Sequence, residues 1–215
     1  HYYMGGDPQN QDPKGVNVSD EYWELWNLVF IQHNRLQNGT LIDLPEKHVD
    51  TGAGLERIAT VLQGKKSNYE NDLFFPIIQN LEEIGGSSYQ SNPTPHRVIA
   101  DHIRMLCFSI GDGALPSNDG RGYVLRRILR RASKFGRNIG LEEPFLFKLV
   151  SVVGDVMGDE YPEILDKSVH IKKVIKSEEE SFNSTLDRGL SHFKKLVDSI
   201  DGLEISGEQA FKLYD

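Results

Sequence analysis

Residues 49–57 read VDTGAGLER, and this stretch determines the fold predicted for the amino-terminal part of the chain. A short strand is predicted to end at residues 48–50. Gly52 and Gly54 interrupt it, and the apolar residues that follow recur with helical spacing, which predicts a helix over 55–62. The stretch therefore predicts a strand that turns through glycine into a helix.

This junction carries groups that suit a small zwitterion and a nucleotide. The carboxylate of Asp50 can accept hydrogen bonds from an ammonium group, and glycine lets a ligand approach the backbone because no Cβ intervenes. Arg57, on the first turn of the helix, can hold phosphate oxygens or stack on a base. Two interpretations are open from the spacing alone: a ligand site formed by the carboxylate and the guanidinium, and a tight structural turn followed by a surface arginine. The spacing by itself favours the structural turn.

Two further strands are predicted upstream of the junction. Residues 22–32 are rich in aromatic and β-branched side chains on both faces, so we expect a central strand that is partly covered on each face. The pair Asn38-Gly39 predicts a type I′ hairpin turn, with a returning strand over 40–44. Asn27 lies among large apolar neighbours, and a buried amide there would need partners, which are either structural or supplied by a ligand.

Helical periodicity dominates the rest of the chain. A helix is predicted to start with Asp72 as its N-cap and Pro76 in its first turn. Beyond a Gly-, Ser- and Pro-rich segment at 85–95, three apolar stripes and a long periodic stretch over 166–200 predict further helices. The motif Ser206-x-x-Gln209 matches a capping box and predicts a last helix.

These patterns predict an α+β fold class with two domains. Residues 1–88 form an antiparallel sheet with flanking helices, and residues 89–215 form an all-α domain. The chain of 215 residues has 38% hydrophobic residues and a mean hydropathy of −0.44, typical of a soluble globular protein. It contains no apolar run long enough for a membrane helix and no secretory signal, and the single cysteine, Cys107, excludes an internal disulfide.

The charge distribution is uneven. The formal net charge of −8 argues against a nucleic-acid binder, yet the stretch 120–141 contains seven basic residues and no acidic one. The basic residues of this stretch that we consider candidate contacts for an RNA backbone are Arg121, Arg126, Arg127, Arg130, Arg131 and Lys134. The alternative for any one of these arginines is a solvated helix face paired with a nearby acidic helix.

Several motifs, in order along nearly the whole chain, resemble the alanyl form of the class II aminoacyl-tRNA synthetases. Residues 49–57 are similar to the third signature motif of that class, and residues 24–32 (ELWNLVFIQ) to the strand that precedes it. The most specific match is residues 115–132, LPSNDGRGYVLRRILRRA. Shorter matches are SNYENDLF (67–74), IADHIR (99–104) and LYD (213–215).

The resemblance implies activation of alanine with ATP and transfer to the acceptor end of tRNA. By position it implies an alanine site at Asp50, Gly52, Asn27 and Val29, and an ATP site at Arg57 and Gly54. With these roles we expect the carboxylate of Asp50 and the guanidinium of Arg57 to converge on one cavity. It further implies that Asn118 and Asp215 read the G·U wobble pair of the acceptor stem, where the guanine amine can donate to an amide or carboxylate oxygen. Mg²⁺ is expected with ATP, and a cytoplasmic location follows.

The resemblance also implies missing parts. The first motif of the class and the arginine-bearing part of the second fall outside this sequence, so we expect the chain by itself to be inactive in adenylation. Zn²⁺ is expected only in an editing domain that is also outside the sequence. The alternatives are a non-catalytic RNA-binding module derived from a synthetase and a purely structural domain.

Overall fold

The computed structural model describes residues 1–85, 87–199 and 204–214. The chain divides into two compact units, His1–Leu73 and Phe74–Asp215. This division lies earlier than the predicted boundary after residue 88. The physical reason is that the helix at Phe75–Glu83 packs against helices of the second unit. The α+β class is confirmed.

The first unit consists of short strands, one long hairpin and a helix. Its elements are β1 (Tyr2–Tyr3), β2 (Tyr22–Trp23), β3 (Trp26–Arg35), β4 (Leu41–Ala53) and α1 (Leu55–Leu62). β1 pairs with β2, and β3 pairs with β4, each in antiparallel fashion. Three-residue 3₁₀ turns lie at Pro8–Asn10, Pro13–Gly15 and Asn68–Glu70.

The hairpin turn forms where it was predicted, but the turn type differs. Gly39 has a φ of +83°, whereas Asn38 does not have a positive φ, so the type I′ prediction is wrong. Gly39 N donates to Leu36 O at 2.9 Å, and Leu36 N donates to Thr40 O at 2.9 Å. This is a three-residue loop in which glycine takes the left-handed position.

The two strands predicted within residues 40–50 form one strand with an irregularity. His33 pairs with Asp43 and Ile31 pairs with His48, so a single residue of β3 faces several residues of β4 at this point. Pro45 lies in the extra segment of β4, where its missing N–H does not disrupt the ladder. The bulge joins the two predicted strands into one.

The prediction that the first strand is central and covered is wrong for the described residues. β3 pairs only with β4, and every one of its residues is exposed. Trp26 and Phe30 are 62% and 65% exposed. The sequence shows which residues of the strand are apolar, but only the tertiary structure shows which of them are covered by other elements.

The second unit is helical. Its elements are α2 (Phe75–Glu83), α3 (Pro93–Gly111), α4 (Gly120–Arg137), α5 (Leu146–Met157), α6 (Pro162–Asp166), α7 (Ser168–Asp198) and α8 (Gly207–Tyr214). α3 packs on α4 and α5, and α7 packs on α4 and α5. The core contains the predicted stripes of α3 and α4, for example Ile103, Cys107 and Leu129, all fully buried.

The helix ends were predicted with mixed success. The capping box is confirmed, since Gln209 N donates to Ser206 Oγ at 3.3 Å and Ser206 N donates to Gln209 Oε1 at 3.0 Å. Asp72 is not the N-cap of α2, which begins after Phe74 without a side-chain cap. Asp72 instead pairs with Gln63, whose Nε2 donates to Asp72 Oδ1 at 2.7 Å.

Candidate functional site

The four predicted alanine-binding residues share one face of the β3–β4 hairpin. Asn27 lies opposite Gly52, and Val29 lies opposite Asp50. Directly opposed residues of an antiparallel pair project to the same side, as do residues two apart in one strand. Trp26 and Thr51 lie on the other face, where Trp26 Nε1 donates to Thr51 Oγ1.

Asn27 is exposed rather than buried, so the expectation of a buried amide is wrong. Its Nδ2 donates to Glu24 Oε1 at 3.5 Å, a long contact. A Cβ added at Gly52 would meet no atom within 4 Å, so this position offers open space beside Asn27. The face is therefore an accessible surface with an amide, a carboxylate and a position that lacks a side chain.

Arg57 is fixed by the turn that precedes α1. Gly54 N donates to Leu25 O at 3.0 Å, which ties the start of α1 to the segment before β3. Arg57 Nη1 donates to Glu24 O at 2.7 Å. A guanidinium has five N–H donors, so this bond leaves donors for an anionic ligand.

Arg57 lines a cavity of about 470 Å³ that Asp50 does not line. Other residues of its wall are Trp23, Glu24 and Asn68. The structure therefore does not bring the carboxylate and the guanidinium together in this cavity, contrary to the expectation. Asp50 and Arg57 are linked along the backbone by the turn that contains Gly52 and Gly54.

The expected Mg²⁺ has no evident ligands here. Among the described residues, no group of three or more His, Cys, Asp and Glu side chains is arranged to hold a metal ion. Mg²⁺ is commonly bound by phosphate oxygens with one or two carboxylates. We assign it no ligand among the residues that the structure describes.

In the second unit, the loop that carries Asn118 lies tightly against the first turn of α4. A Cβ at Gly122 would collide with the carbonyl oxygen of Leu115 and the side chain of Ser117. Asn118 itself is exposed, and its Oδ1 accepts a hydrogen bond from Arg126 Nη1. Asp215, the second predicted wobble-reading residue, lies outside the described residues.

Three arginines of α4 are paired with acidic residues of α7. Arg126 Nε and Arg130 Nη2 both lie 3.0 Å from Glu178 Oε1. The Arg126 contact is an ion pair without hydrogen-bond geometry, whereas Arg130 Nε donates to the same oxygen at 3.0 Å. Arg137 Nη1 lies 2.7 Å from Asp187 Oδ1, and this contact lowers the pKa of Asp187.

The other predicted basic residues of α4 are Arg121, Arg127, Arg131 and Lys134. All four are exposed, and none of them forms an ion pair with another described residue. Arg127 and Arg131 each lie near an aromatic ring of the same helix, Tyr123 and Phe135. A groove of about 470 Å³ runs along this surface. Its walls are Val124, Arg127, Ile128, Arg130, Arg131, Lys134 and Phe182. The described lining contains no acidic residue.

Two acidic residues of α7 have specific roles that the sequence did not assign to individual residues. Glu178 neutralises part of α4, and Glu179 is fully buried. A signal was present: Glu179 and Asn183 continue the spacing of Ile171 and Ile175, so polar residues occupy positions of the buried stripe. A polar residue at such a position needs a partner inside the protein.

The comparisons with known proteins identify the class. The sequence model of the family described as tRNA synthetases class II (A) matches residues 1–215. The chain therefore belongs to this family, and the resemblance is confirmed. Among the described residues, no helix has the length and apolar composition required to cross a bilayer.

The similar curated proteins are alanine–tRNA ligases. The chain is 50% identical over 217 residues to that of Halalkalibacterium halodurans, covering 98% of this chain and 25% of the relative. It is 48% identical to that of Shouchella clausii, covering 98% and 24%, and 49% identical to that of Herpetosiphon aurantiacus, covering 100% and 25%. The chain thus spans about a quarter of the length of the curated relatives it matches.

Proposed function

We propose that this chain is part of an alanine–tRNA ligase. In that enzyme an oxygen of the alanine carboxylate attacks the α-phosphorus of ATP and pyrophosphate leaves, which gives alanyl-adenylate. The alanyl group then forms an ester with the acceptor end of tRNA, and AMP leaves. The chain contributes part of the alanine and ATP site and a helical surface for the acceptor stem. By itself it does not carry out adenylation.

The hairpin register supports the alanine site. Asp50 accepts hydrogen bonds from the ammonium of alanine, a charge-assisted contact that is stronger than a neutral one. Asn27 and Val29 line the same face, and Gly52 leaves room for a small amino acid. Arg57 and Gly54 contribute to ATP binding, with Arg57 using the donors that Glu24 does not occupy.

The surface of α4 supports the tRNA site. Four exposed basic residues and an acid-free groove suit phosphates, which confer affinity without reading sequence. Asn118, in the loop before α4, reads the G·U pair, because the shallow minor groove of A-form RNA is accessible to side chains. Asp215 is proposed to share this role. Buried Cys107 agrees with the reducing cytoplasm in which we place the enzyme.

Alanine-dependent exchange of pyrophosphate into ATP, measured on the complete ligase, tests the proposal. Asp50→Asn removes a charged hydrogen-bond partner worth about 1.5–3 kcal/mol, so the KM for alanine should rise roughly 10- to 150-fold. The KM for ATP should change by less than about twofold. Asp43→Asn is the matched control, because Asp43 is an exposed carboxylate of the same strand that pairs with His33 at 2.7 Å. Equal effects of the two substitutions would contradict the alanine site.

A further inference from the structure

Three side chains form a connected series from α7 to the loop before α4. Glu178 holds Arg126 by an ion pair of 3.0 Å, and Arg126 donates a hydrogen bond to Asn118 Oδ1. The Glu178 side chain is 11% exposed and that of Arg126 is 23% exposed. The pair is therefore screened by solvent less than an ordinary surface ion pair.

The contact with Arg126 determines the orientation of the Asn118 side-chain amide, that is, the positions of its oxygen and its nitrogen. A guanidinium can only donate, so the atom of Asn118 that touches it must be the oxygen. An amide oxygen has two lone pairs, and Arg126 occupies one of them. The second lone pair remains available to accept from a donor outside the protein, such as the exocyclic amine of guanine. Without Arg126, an exposed asparagine would sample several orientations, including flipped ones.

Glu178 in turn keeps Arg126 in place. Arg126 and Arg130 are four residues apart on α4, so their like charges are neighbours on the helix surface and repel each other. One oxygen of Glu178 lies 3.0 Å from both guanidinium groups and compensates this repulsion. Arg126 is thereby turned toward Asn118 and is not one of the exposed basic residues that suit phosphates.

We propose that Glu178 is a positioning residue for acceptor-stem specificity, acting through Arg126 on the amide of Asn118. The proposal rests on the proposed function, because it requires Asn118 to read the G·U pair. It reassigns Arg126 from a phosphate contact to an orienting group. Glu178 contacts no RNA, and its effect is on the choice between tRNAs.

The test is the ratio of kcat/KM for alanine tRNA with its G·U pair to kcat/KM for the same tRNA with G·C. Measured on one preparation of the complete ligase, this ratio does not depend on the fraction of active enzyme. Asn118→Ala should lower it roughly 5- to 150-fold. Glu178→Gln and Arg126→Lys should each lower it at least about fivefold, and Glu178→Gln combined with Asn118→Ala should lower it no further than Asn118→Ala does.

Glu180→Gln is the matched control. Glu180 is an exposed neighbour on α7 that pairs with Lys176 at 3.8 Å, and its substitution should leave the ratio unchanged. A fall in the ratio with Asn118→Ala but not with Glu178→Gln and Arg126→Lys would overturn the positioning role and leave the Asn118 role intact. An unchanged ratio with Asn118→Ala would refute the proposed wobble readout, and the positioning role would fall with it.

Discussion

Glu179→Gln should remove a specific pH dependence from the stability of the helical unit. Glu179 is fully buried, and its Oε2 accepts hydrogen bonds from the backbone N–H groups of Phe145 and Leu146 at 3.2 and 3.1 Å. These groups lie at the start of α5, so the carboxyl group acts as a cap supplied from α7. Its Oε1 is buried and has no hydrogen-bond partner among the described residues.

Burial raises the pKa of Glu179 from an ordinary value of 4.5 to about 7, because desolvation disfavours the charged form. The two backbone N–H groups and Lys148 lower the pKa, and Glu180 raises it, but desolvation is the largest effect. A pKa that rises from 4.5 to about 7 corresponds to a free-energy difference of about 3 kcal/mol.

The direction of the effect follows from proton binding. Between pH 4.5 and about 7 the unfolded chain releases this proton while the folded chain keeps it, so the folded state binds more protons. The free energy of unfolding therefore falls as pH rises through this window. The contribution of Glu179 is fully present below pH 4.5 and is lost above about pH 7.

Urea unfolding of the 215-residue chain at a series of pH values measures this effect. Other groups titrate in the same range, so the informative quantity is the difference in unfolding free energy between the parent and Glu179→Gln. The difference should change by about 3 kcal/mol between pH 4.5 and 7.5, with the parent losing stability relative to the variant. Glu160→Gln, an exposed carboxylate removed in the same way, should show no such change. A difference that is constant with pH, or one in which the parent gains stability as pH rises, would refute the reasoning.

Two further predictions concern α4. Arg131→Gln should weaken binding of the complete ligase to all RNA stems alike and reduce the slope of log K against log salt by about 1. Fluorescence anisotropy at a series of salt concentrations measures both effects. Arg137→Gln is the control and should leave the slope unchanged, because the guanidinium of Arg137 is paired with Asp187. Gly122→Ala should destabilise the chain by about 1–3 kcal/mol in thermal unfolding, because the added Cβ collides with the loop at Leu115 and Ser117. An unchanged melting temperature would show that the loop moves aside without cost.

Several local signals in the sequence were reliable, although the N-cap predicted at Asp72 was wrong. The helix at 55–62, the stripes of α3 and α4 and the capping box of α8 were predicted because hydrophobic periodicity and cap chemistry act within a few residues. The hairpin at Asn38-Gly39 was also predicted. Its turn type was not, because Asn-Gly fits both a two-residue loop, in which both residues take a positive φ, and a three-residue loop, in which only the glycine does.

The candidate alanine site was predicted residue by residue from motif resemblance, but its geometry was not. The register that pairs Asn27 with Gly52 and Val29 with Asp50 agrees with a shared face. Arg57 donates to the carbonyl oxygen of Glu24 and lines a cavity that Asp50 does not line. A spacing of seven residues across a glycine turn leaves the directions of two side chains undetermined.

What the sequence determined alone is the family, the division into a β-containing part and a helical part, and the concentration of positive charge on one helix. Only the tertiary structure decided which of those charges are available. Every arginine of α4 lies within the acid-free stretch 120–141, so the sequence gives all of them the same local context. Glu178 and Asp187 of α7, about 50 residues away in sequence, nevertheless pair with three of these arginines. Electrostatic partners act through space at distances of a few ångströms, so a charge pattern read along the chain cannot reveal which charges are neutralised in the folded protein.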